Sequence, residues 1–275
     1  TILFNWLIIK LVNNSKLRLW LSIPFNILLL AFFKYKNIIF ESEYFSYPFI
    51  TDYLPLGISF YCFQSIAYQV DFYKGLTKGA KNFKEFLLFK SFFPQLIAGP
   101  IVRANNLIPQ FRNHTKTKKR LSFFGLFLCF LGLSKKIIFA DSISPLVDQY
   151  FITLPKTTTE AWLAALMYTF QVYFDFSGYS DIAIGSAYLL NIRLPVNFKT
   201  PYLSLNPSEF WRRWHISLST WIRDYLYIPM GGAEGNFIKS SFVVVLTMSI
   251  AGLWHGVNTT FLLWGVLWGI YICIG

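Results

Sequence analysis

The sequence has little charge for its length and few of the residues that build disulfide or metal sites. Only 14% of its 275 residues are charged, whereas 55% are hydrophobic and 20% are aromatic, which is far from the composition of an average soluble domain. Cys62, Cys129 and Cys273 are scattered in apolar surroundings without CxxC spacing. We therefore expect these cysteines to pack inside the protein, and we expect neither a disulfide framework nor a metal site.

Patterns that mark several other functions are also missing. The formal charge of +12 would suit a nucleic-acid-binding protein, but no RNP, zinc-finger or basic-zipper pattern accompanies it, so we expect no nucleic-acid partner. The basic residues instead gather in loops, as they do on the cytoplasmic side of membrane proteins. No serine, cysteine or aspartate lies in a nucleophile elbow or shows another signature of covalent catalysis, so direct transfer to an acceptor would be the simpler mechanism for a group-transfer enzyme.

Apolar runs repeat along the whole chain, and several approach the ~20 residues that cross a bilayer. We predict an all-α, polytopic membrane protein with one domain over residues 1–275; a single large soluble core is the weaker alternative. Because the chain starts and stops inside apolar stretches, we expect a fragment that lacks segments at both ends. The predicted apolar segments are Ile2–Val12, Leu19–Phe33, Leu54–Val70, Leu121–Ala140, Ala161–Leu190 and Ser241–Gly275.

One further apolar segment, Phe86–Ile101, is interrupted by Pro94, Gly99 and Pro100 and is flanked on both sides by basic loops. Proline breaks a helix, and a broken backbone at membrane depth must be covered by protein or water. We therefore predict a re-entrant element here rather than a complete crossing.

The stretch after Asn206 has the pattern of a helix start. Asn206 suits the N-cap, Pro207 the first turn, and Glu209 the acidic position of a capping box. Apolar residues then recur at three- and four-residue steps, which predicts one amphipathic helix that ends at Gly231-Gly232. Such a helix lies along a membrane interface or lines a wet cavity.

The last apolar run, Ser241–Gly275, would be about 52 Å long as one straight helix, which exceeds the ~30 Å hydrocarbon core. We predict a break near Gly252, Gly256 and Asn258, with His255 at the break. Ionisable groups at membrane depth are rare and count as functional candidates. A neutral imidazole there could take a proton from an attacking hydroxyl; the alternative is a structural histidine that bonds between helices.

Other polar residues in apolar surroundings are further candidates. Arg212 and Arg213 could grip phosphates or a carboxylate through forked hydrogen bonds, or they could anchor the chain at lipid headgroups; His215 beside them could simply be interfacial. Asp175 and Asp181 lie in an aromatic segment, where carboxylates need partners. They could orient a histidine, pair with an arginine or bind a sugar hydroxyl, and the alternative is an internal salt bridge that joins helices.

At these residues the sequence resembles the membrane-bound O-acyltransferase family, and within it the bacterial branch that contains alginate O-acetyltransferase. The most specific part is the block Arg-Arg-Trp-His-Ile-Ser-Leu-Ser at residues 212–219. The matching stretches, in the order of the family, are Leu54–Tyr61, Phe92–Arg103, Tyr173–Asp181, Asn197–Gly232 and Gly252–Gly256.

The resemblance implies a ring of tilted transmembrane helices with re-entrant and interfacial helices around a central tunnel. The near-invariant histidine of the family matches His255, which would act as general base. The second signature position matches His215, which would position or polarise the thioester carbonyl or the acceptor. As substrate or donor contacts we predict Arg212, Arg213, Trp254, Asp175 and Asp181.

The resemblance also implies the substrates and partners. The donor would be acetyl-CoA, or a carrier-protein thioester, used as co-substrate with no bound cofactor, and the acceptor an exported polysaccharide. Periplasmic partner proteins would complete the transfer, and a multi-pass protein of the inner membrane would contact membrane lipids. One rival is the D-alanyl transferase branch, which acts on teichoic acid. A second rival is a transporter or channel, because broken helices with intramembrane carboxylates and histidine are also transporter traits.

Overall fold

The computed structural model describes residues 1–40, 55–96, 99–113, 119–256 and 258–275, and all regular structure in these ranges is helical. Leu54, the first residue of one predicted apolar segment, lies outside the described residues. The α-helices, in chain order, are α1 Ile2–Leu11, α2 Ser15–Phe40, α3 Ile58–Tyr73, α4 Phe83–Ser91, α5 Phe93–Leu96, α6 Ala104–Arg112, α7 Lys119–Ser134, α8 Asp141–Thr153, α9 Thr158–Leu189, α10 Pro207–Arg213, α11 Ile216–Ile222, α12 Phe237–His255 and α13 Thr259–Ile274.

Three helical stretches of the described chain are long and apolar enough to cross a membrane: Ser15–Tyr35, Lys119–Thr153 and Phe237–His255. The second consists of α7, a π-helical segment over Lys135–Ala140 and α8, so it continues beyond the predicted end at Ala140. α1 and α13 are shorter apolar helices. These helices agree with the all-α membrane class predicted from the apolar runs.

The chain divides into two compact units. The first comprises Thr1–Ser91, Ile101–Ile108 and Phe198–Gly275, and the second comprises Phe92–Pro100 and Pro109–Asn197. The interpretation of residues 1–275 as one domain stays a prediction.

In the second unit, α7 and α9 approach each other at the level of their backbones. A Cβ atom added at Gly132 would lie 2.5 Å from the carbonyl oxygen of Gly178, and one added at Gly178 would lie 2.8 Å from that of Gly132. The pair Gly125 and Gly185 repeats this contact, with 2.8 and 2.6 Å to each other's oxygens. Small residues permit such close packing of apolar helices.

The same helix α9 is continuous through the polar positions that interrupt its apolar sequence. It begins with a capping box, in which Thr157 accepts the Glu160 amide and Glu160 accepts the Thr157 amide. It then runs through Asp175, Gly178 and Asp181 to Leu189. The predicted segment Ala161–Leu190 is therefore one helix.

The proline-containing segment is broken, as predicted. In the first unit α4 ends at Ser91, and in the second α5 occupies only Phe93–Leu96. A Cβ atom at Gly99 would lie 2.4 Å from the Pro94 carbonyl oxygen, so Gly99 lies directly against the backbone of Pro94. Ile97 and Ala98 lie outside the described residues, and the re-entrant path stays a prediction.

The break in the last apolar run of the first unit is also confirmed. α12 ends at His255 and α13 begins at Thr259. The two helices pack closely, because a Cβ atom at Gly252 would lie 2.2 Å from the Phe261 carbonyl oxygen. A helix of full length could not place Phe261 beside Gly252, so this packing requires the helix to break.

The prediction of one amphipathic helix after Asn206 was wrong. The cap is confirmed, because the Asn206 side chain accepts the Glu209 amide at 2.8 Å. However, α10 ends at Arg213 and α11 begins only at Ile216. The chain breaks because Trp214 is extended and His215 takes left-handed values of φ 41° and ψ 54°, which interrupts the helical ladder of hydrogen bonds.

The backbone contact between α7 and α9 generates a first test, the change Gly132→Val. Its Cβ would meet the Gly178 oxygen, which cannot rotate away, so we expect a loss of at least about 1–3 kcal/mol of stability. The matched control is Leu133→Val, since Leu133 is 43% exposed on the same helix. Apparent melting temperatures of the two variants in detergent measure the difference, and equal values would contradict the backbone contact.

Candidate functional site

His255 is the last residue of α12, and its imidazole lies among aromatic rings. The ring centroid of Trp254 is 4.6 Å away, that of Trp264 is 5.2 Å away and that of Phe261 is 6.4 Å away. The His255 side chain is nevertheless exposed. The helix end thus presents an accessible imidazole whose neighbours are mostly apolar.

The aromatic neighbours of His255 connect α13 to α10. Trp264 lies 5.9 Å from Trp211 between ring centroids, and Trp268 lies 5.3 Å from Trp211 and 5.1 Å from Phe210. These ring contacts hold α10, which carries Arg212, against α13, which packs beside His255. The two signature blocks of the sequence are therefore neighbours in space.

Trp254 is held from several sides. Its indole Nε1 donates to Ser59 Oγ at 3.3 Å, and its ring lies 5.3 Å from that of Phe63. The ammonium of Lys34 lies 4.7 Å from the centroid of the indole. The sequence pattern marks Trp254 but gives no sign of its contact with Lys34, because 220 residues separate the two.

His215 is buried in the turn between α10 and α11. Lys199 donates its backbone amide to the Arg213 carbonyl at 2.9 Å, which gives the end of α10 a partner outside the helix. Burial of the imidazole lowers the pKa of His215 to about 3, and the nearby His255 adds to this effect. His215 is therefore neutral at physiological pH, and it lies near His255.

The two arginines before Trp214 differ in their surroundings. Arg213 donates to Glu209 Oε1 at 2.6 Å and to Thr200 Oγ1 at 3.3 Å. Arg212 is exposed and forms no ion pair with any residue in the described part of the chain. Of the pair, Arg212 is the one whose guanidinium is available to an anionic ligand.

The two carboxylates of the aromatic segment belong to the second unit and form ion pairs there. Asp175 lies 2.6 Å from Lys136, which also contacts Asp141 at 2.7 Å, and Asp181 lies 2.5 Å from Lys135. These pairs join α9 to the π-helical segment after α7. They support the salt-bridge alternative for Asp175 and Asp181, and substrate binding by these two residues stays a prediction.

The first unit contains a polar cluster at the C-terminal end of α11. Arg103 pairs with Asp224 and stacks 5.2 Å from the centroid of Tyr225. Tyr225 donates its hydroxyl to Asp71 at 2.7 Å. Sequence patterns did not indicate this cluster, because its members come from three distant segments. It ties α3 and residue 103 to the π-helical segment Arg223–Tyr227.

The comparison with known families decides the class of the chain. The model of the membrane-bound O-acyltransferase family, MBOAT, matches residues 78–274. The chain belongs to the membrane-bound O-acyltransferase family. Membership confirms the resemblance and the polytopic membrane class predicted from the sequence. The matched residues include the candidate site residues His215, His255, Arg212, Arg213 and Trp254.

The chain is similar to proteins that have different names. A probable alginate O-acetylase of Azotobacter vinelandii is 43% identical over 96% of this chain and 54% of its own length. A peptidoglycan O-acetyltransferase of Helicobacter pylori is 39% identical over 100% of this chain and 59% of its own. A teichoic acid D-alanyltransferase of Bacillus subtilis is 31% identical over 77% of this chain and 56% of its own. The chain thus spans about half the length of the relatives it matches.

The buried neutral imidazole of His215 predicts a pH dependence of stability. Between about pH 6.5 and pH 3 the unfolded chain binds a proton that the folded chain does not, so stability falls as the pH drops below about 6.5, by up to about 1.4 kcal/mol per pH unit. His215→Gln carries no such proton, and we expect a flatter profile of melting temperature between pH 7.5 and pH 5.

Ser217→Ala is the control for this profile. Ser217 accepts the Ile101 amide at 3.0 Å in the turn of α11 that follows His215, but its hydroxyl does not titrate in this range. Its removal should lower stability equally at both pH values. A His215→Gln profile as steep as that of the unchanged protein would contradict the assignment.

Proposed function

We propose that the protein is a membrane-embedded O-acyltransferase. It would move an acetyl group from a cytoplasmic thioester donor, acetyl-CoA in the first instance, toward hydroxyls of an exported polysaccharide. The observation that carries the proposal is the exposed His255 at the end of an apolar helix, with the buried His215 near it. The names of the alginate and peptidoglycan relatives support acetyl as the group and a surface polysaccharide as the acceptor class.

The chemistry proposed for His255 is general base catalysis. The neutral imidazole takes the proton of the acceptor hydroxyl as that oxygen attacks the thioester carbonyl. A new C–O bond forms, the C–S bond breaks, and the leaving thiolate receives the proton from the imidazolium. Direct transfer requires no enzyme nucleophile, in keeping with the missing nucleophile elbow.

His215 has the properties of an electrophilic partner in this reaction. Because burial keeps its imidazole neutral, it can donate an N–H hydrogen bond without carrying a full charge. A neutral imidazole that polarises a carbonyl is an established catalytic arrangement. We propose that His215 polarises the thioester carbonyl or positions the acceptor.

Arg212 is the residue we propose for the phosphates of the donor. Its side chain is exposed, whereas Arg213 is engaged with Glu209 and Thr200. Forked hydrogen bonds from a guanidinium suit phosphate oxygens. Arg213 then contributes mainly by holding α10 in place, and Trp254 by forming a wall beside the imidazole.

Location and partners follow from the same proposal. We place the protein in the inner membrane as a multi-pass protein, with periplasmic partner proteins that complete the transfer to the polysaccharide. The D-alanyl alternative shares the family, but the relatives with that name are 27–31% identical to the chain, whereas the alginate relatives are 43–47% identical. This difference favours acetyl transfer.

The test of the proposal is His255→Ala in the full-length protein. Loss of the base removes proton transfer, which contributes about 100- to 10,000-fold to such reactions, so ester-linked acetate on the surface polysaccharide should disappear. The measurement is acetate released by mild alkali from cells with equal membrane levels of each variant. Alanine ester in place of acetate ester would identify the D-alanyl branch instead.

Phe242→Ala is the matched control, because Phe242 is on the same helix α12 and is 67% exposed. It shortens an apolar side chain away from the imidazole and should leave acetate unchanged. Full acetate in cells with His255→Ala would refute the general-base role. Acetate that is independent of the protein altogether would refute the acceptor class, and substrate flux without ester formation would favour a transporter.

A further inference from the structure

The last turn of α12 has backbone carbonyl groups that need hydrogen-bond partners from outside the helix. The carbonyl groups of the last turn have no partner within the helix, and inside a membrane an unbonded carbonyl is strongly unfavourable. In this structure two of these carbonyls are bonded by neighbouring residues of α2. Tyr35 donates its hydroxyl to the Leu253 oxygen at 2.8 Å, and the Lys34 ammonium donates to the Trp254 oxygen.

The charge of Lys34 suits this position. The C-terminus of a helix carries partial negative charge, so a cation beside it is stabilising. The ammonium also lies 4.7 Å from the centroid of the Trp254 ring, within the range of a cation–π interaction. Lys34 lies at the end of the candidate span Ser15–Tyr35, where a lysine side chain can extend toward the membrane interface, and here its ammonium reaches the end of α12.

The bonds from α2 act on the residue that directly precedes His255. Trp254 is bonded at its carbonyl by Lys34 and at its indole by Ser59. After His255 the backbone leaves the helix at Gly256, whose φ is −174°, and a Cβ there would lie 2.5 Å from the Phe261 ring. The direction of the imidazole therefore depends on where the last turn of α12 is held.

We propose that Lys34 is a positioning residue for His255, and that it acts by capping the last turn of α12. The proposal rests on the proposed function, because it concerns the base of that reaction. Lys34 would not touch the reacting atoms. Its removal would release the Trp254 carbonyl, loosen the final turn and displace the imidazole from the acceptor hydroxyl.

The experiment compares Lys34→Met and Lys34→Arg in membrane vesicles from cells that carry the full-length protein and their own surface polysaccharide. Acetyl ester formation is measured against acetyl-CoA concentration. A displacement of about 1 Å costs about 100-fold in rate, so we expect Lys34→Met to lower kcat by about this factor while KM changes little. Lys34→Arg keeps charge and N–H donors and should recover much of the lost kcat.

The matched control is Lys10→Met. Lys10 lies 4.9 Å from the centroid of Trp6, so it makes the same kind of cation–π contact in the same unit but not at the end of α12. This change should leave kcat and KM unchanged. An equal loss of activity in Lys10→Met and Lys34→Met would overturn the proposal, since the effect would then follow from the loss of any cation–π contact in this unit.

Hydrogen–deuterium exchange of the peptide that contains residues 250–256 supplies a readout besides activity. We expect faster exchange in Lys34→Met and unchanged exchange in Lys10→Met. Unaltered exchange, or faster exchange with an unchanged kcat, would overturn the positioning role. His255→Ala is assayed in parallel: activity in that variant refutes the proposed base, whereas loss of activity there together with a normal Lys34→Met refutes only the role of Lys34.

Discussion

A backbone or side-chain polar group that is removed from water must find a partner inside the protein, and this constraint acts strongly in a chain that is so apolar. The last carbonyls of α12 are satisfied by Lys34 and Tyr35. The last turn of α10 is satisfied through the Lys199 amide. Each of these bonded helix ends lies within two residues of a histidine, His255 after α12 and His215 after α10.

Several features could be predicted from local sequence because their causes are local. The length of the last apolar run and its glycines predicted the break after His255, and the Asn206 and Glu209 pattern predicted the start of α10. The family match on the sequence blocks was equally local, since each block is contiguous. The residues of the candidate site were therefore recognised individually before their arrangement was known.

The features that sequence analysis missed depend on distant partners. No proline or glycine marks the helix break at His215, and the amphipathic spacing of apolar residues continues across this break. The Lys34 contact joins residues 220 positions apart. Likewise, the ion pair between Lys135 and Asp181 was only one of several alternatives for that carboxylate. Periodicity describes which face of a helix is apolar, but it does not identify the partner of a polar group.

Chemical modification of histidine reports whether the acyl donor reaches His255. In membrane vesicles with the full-length protein, diethyl pyrocarbonate reacts with accessible neutral imidazoles, and mass spectrometry of the peptides distinguishes exposed His255 from buried His215. We expect that His255 is modified, that His215 is not modified, and that saturating acetyl-CoA protects His255. Modification of His255 at the same rate with and without acetyl-CoA would contradict a site in which the donor reaches this imidazole.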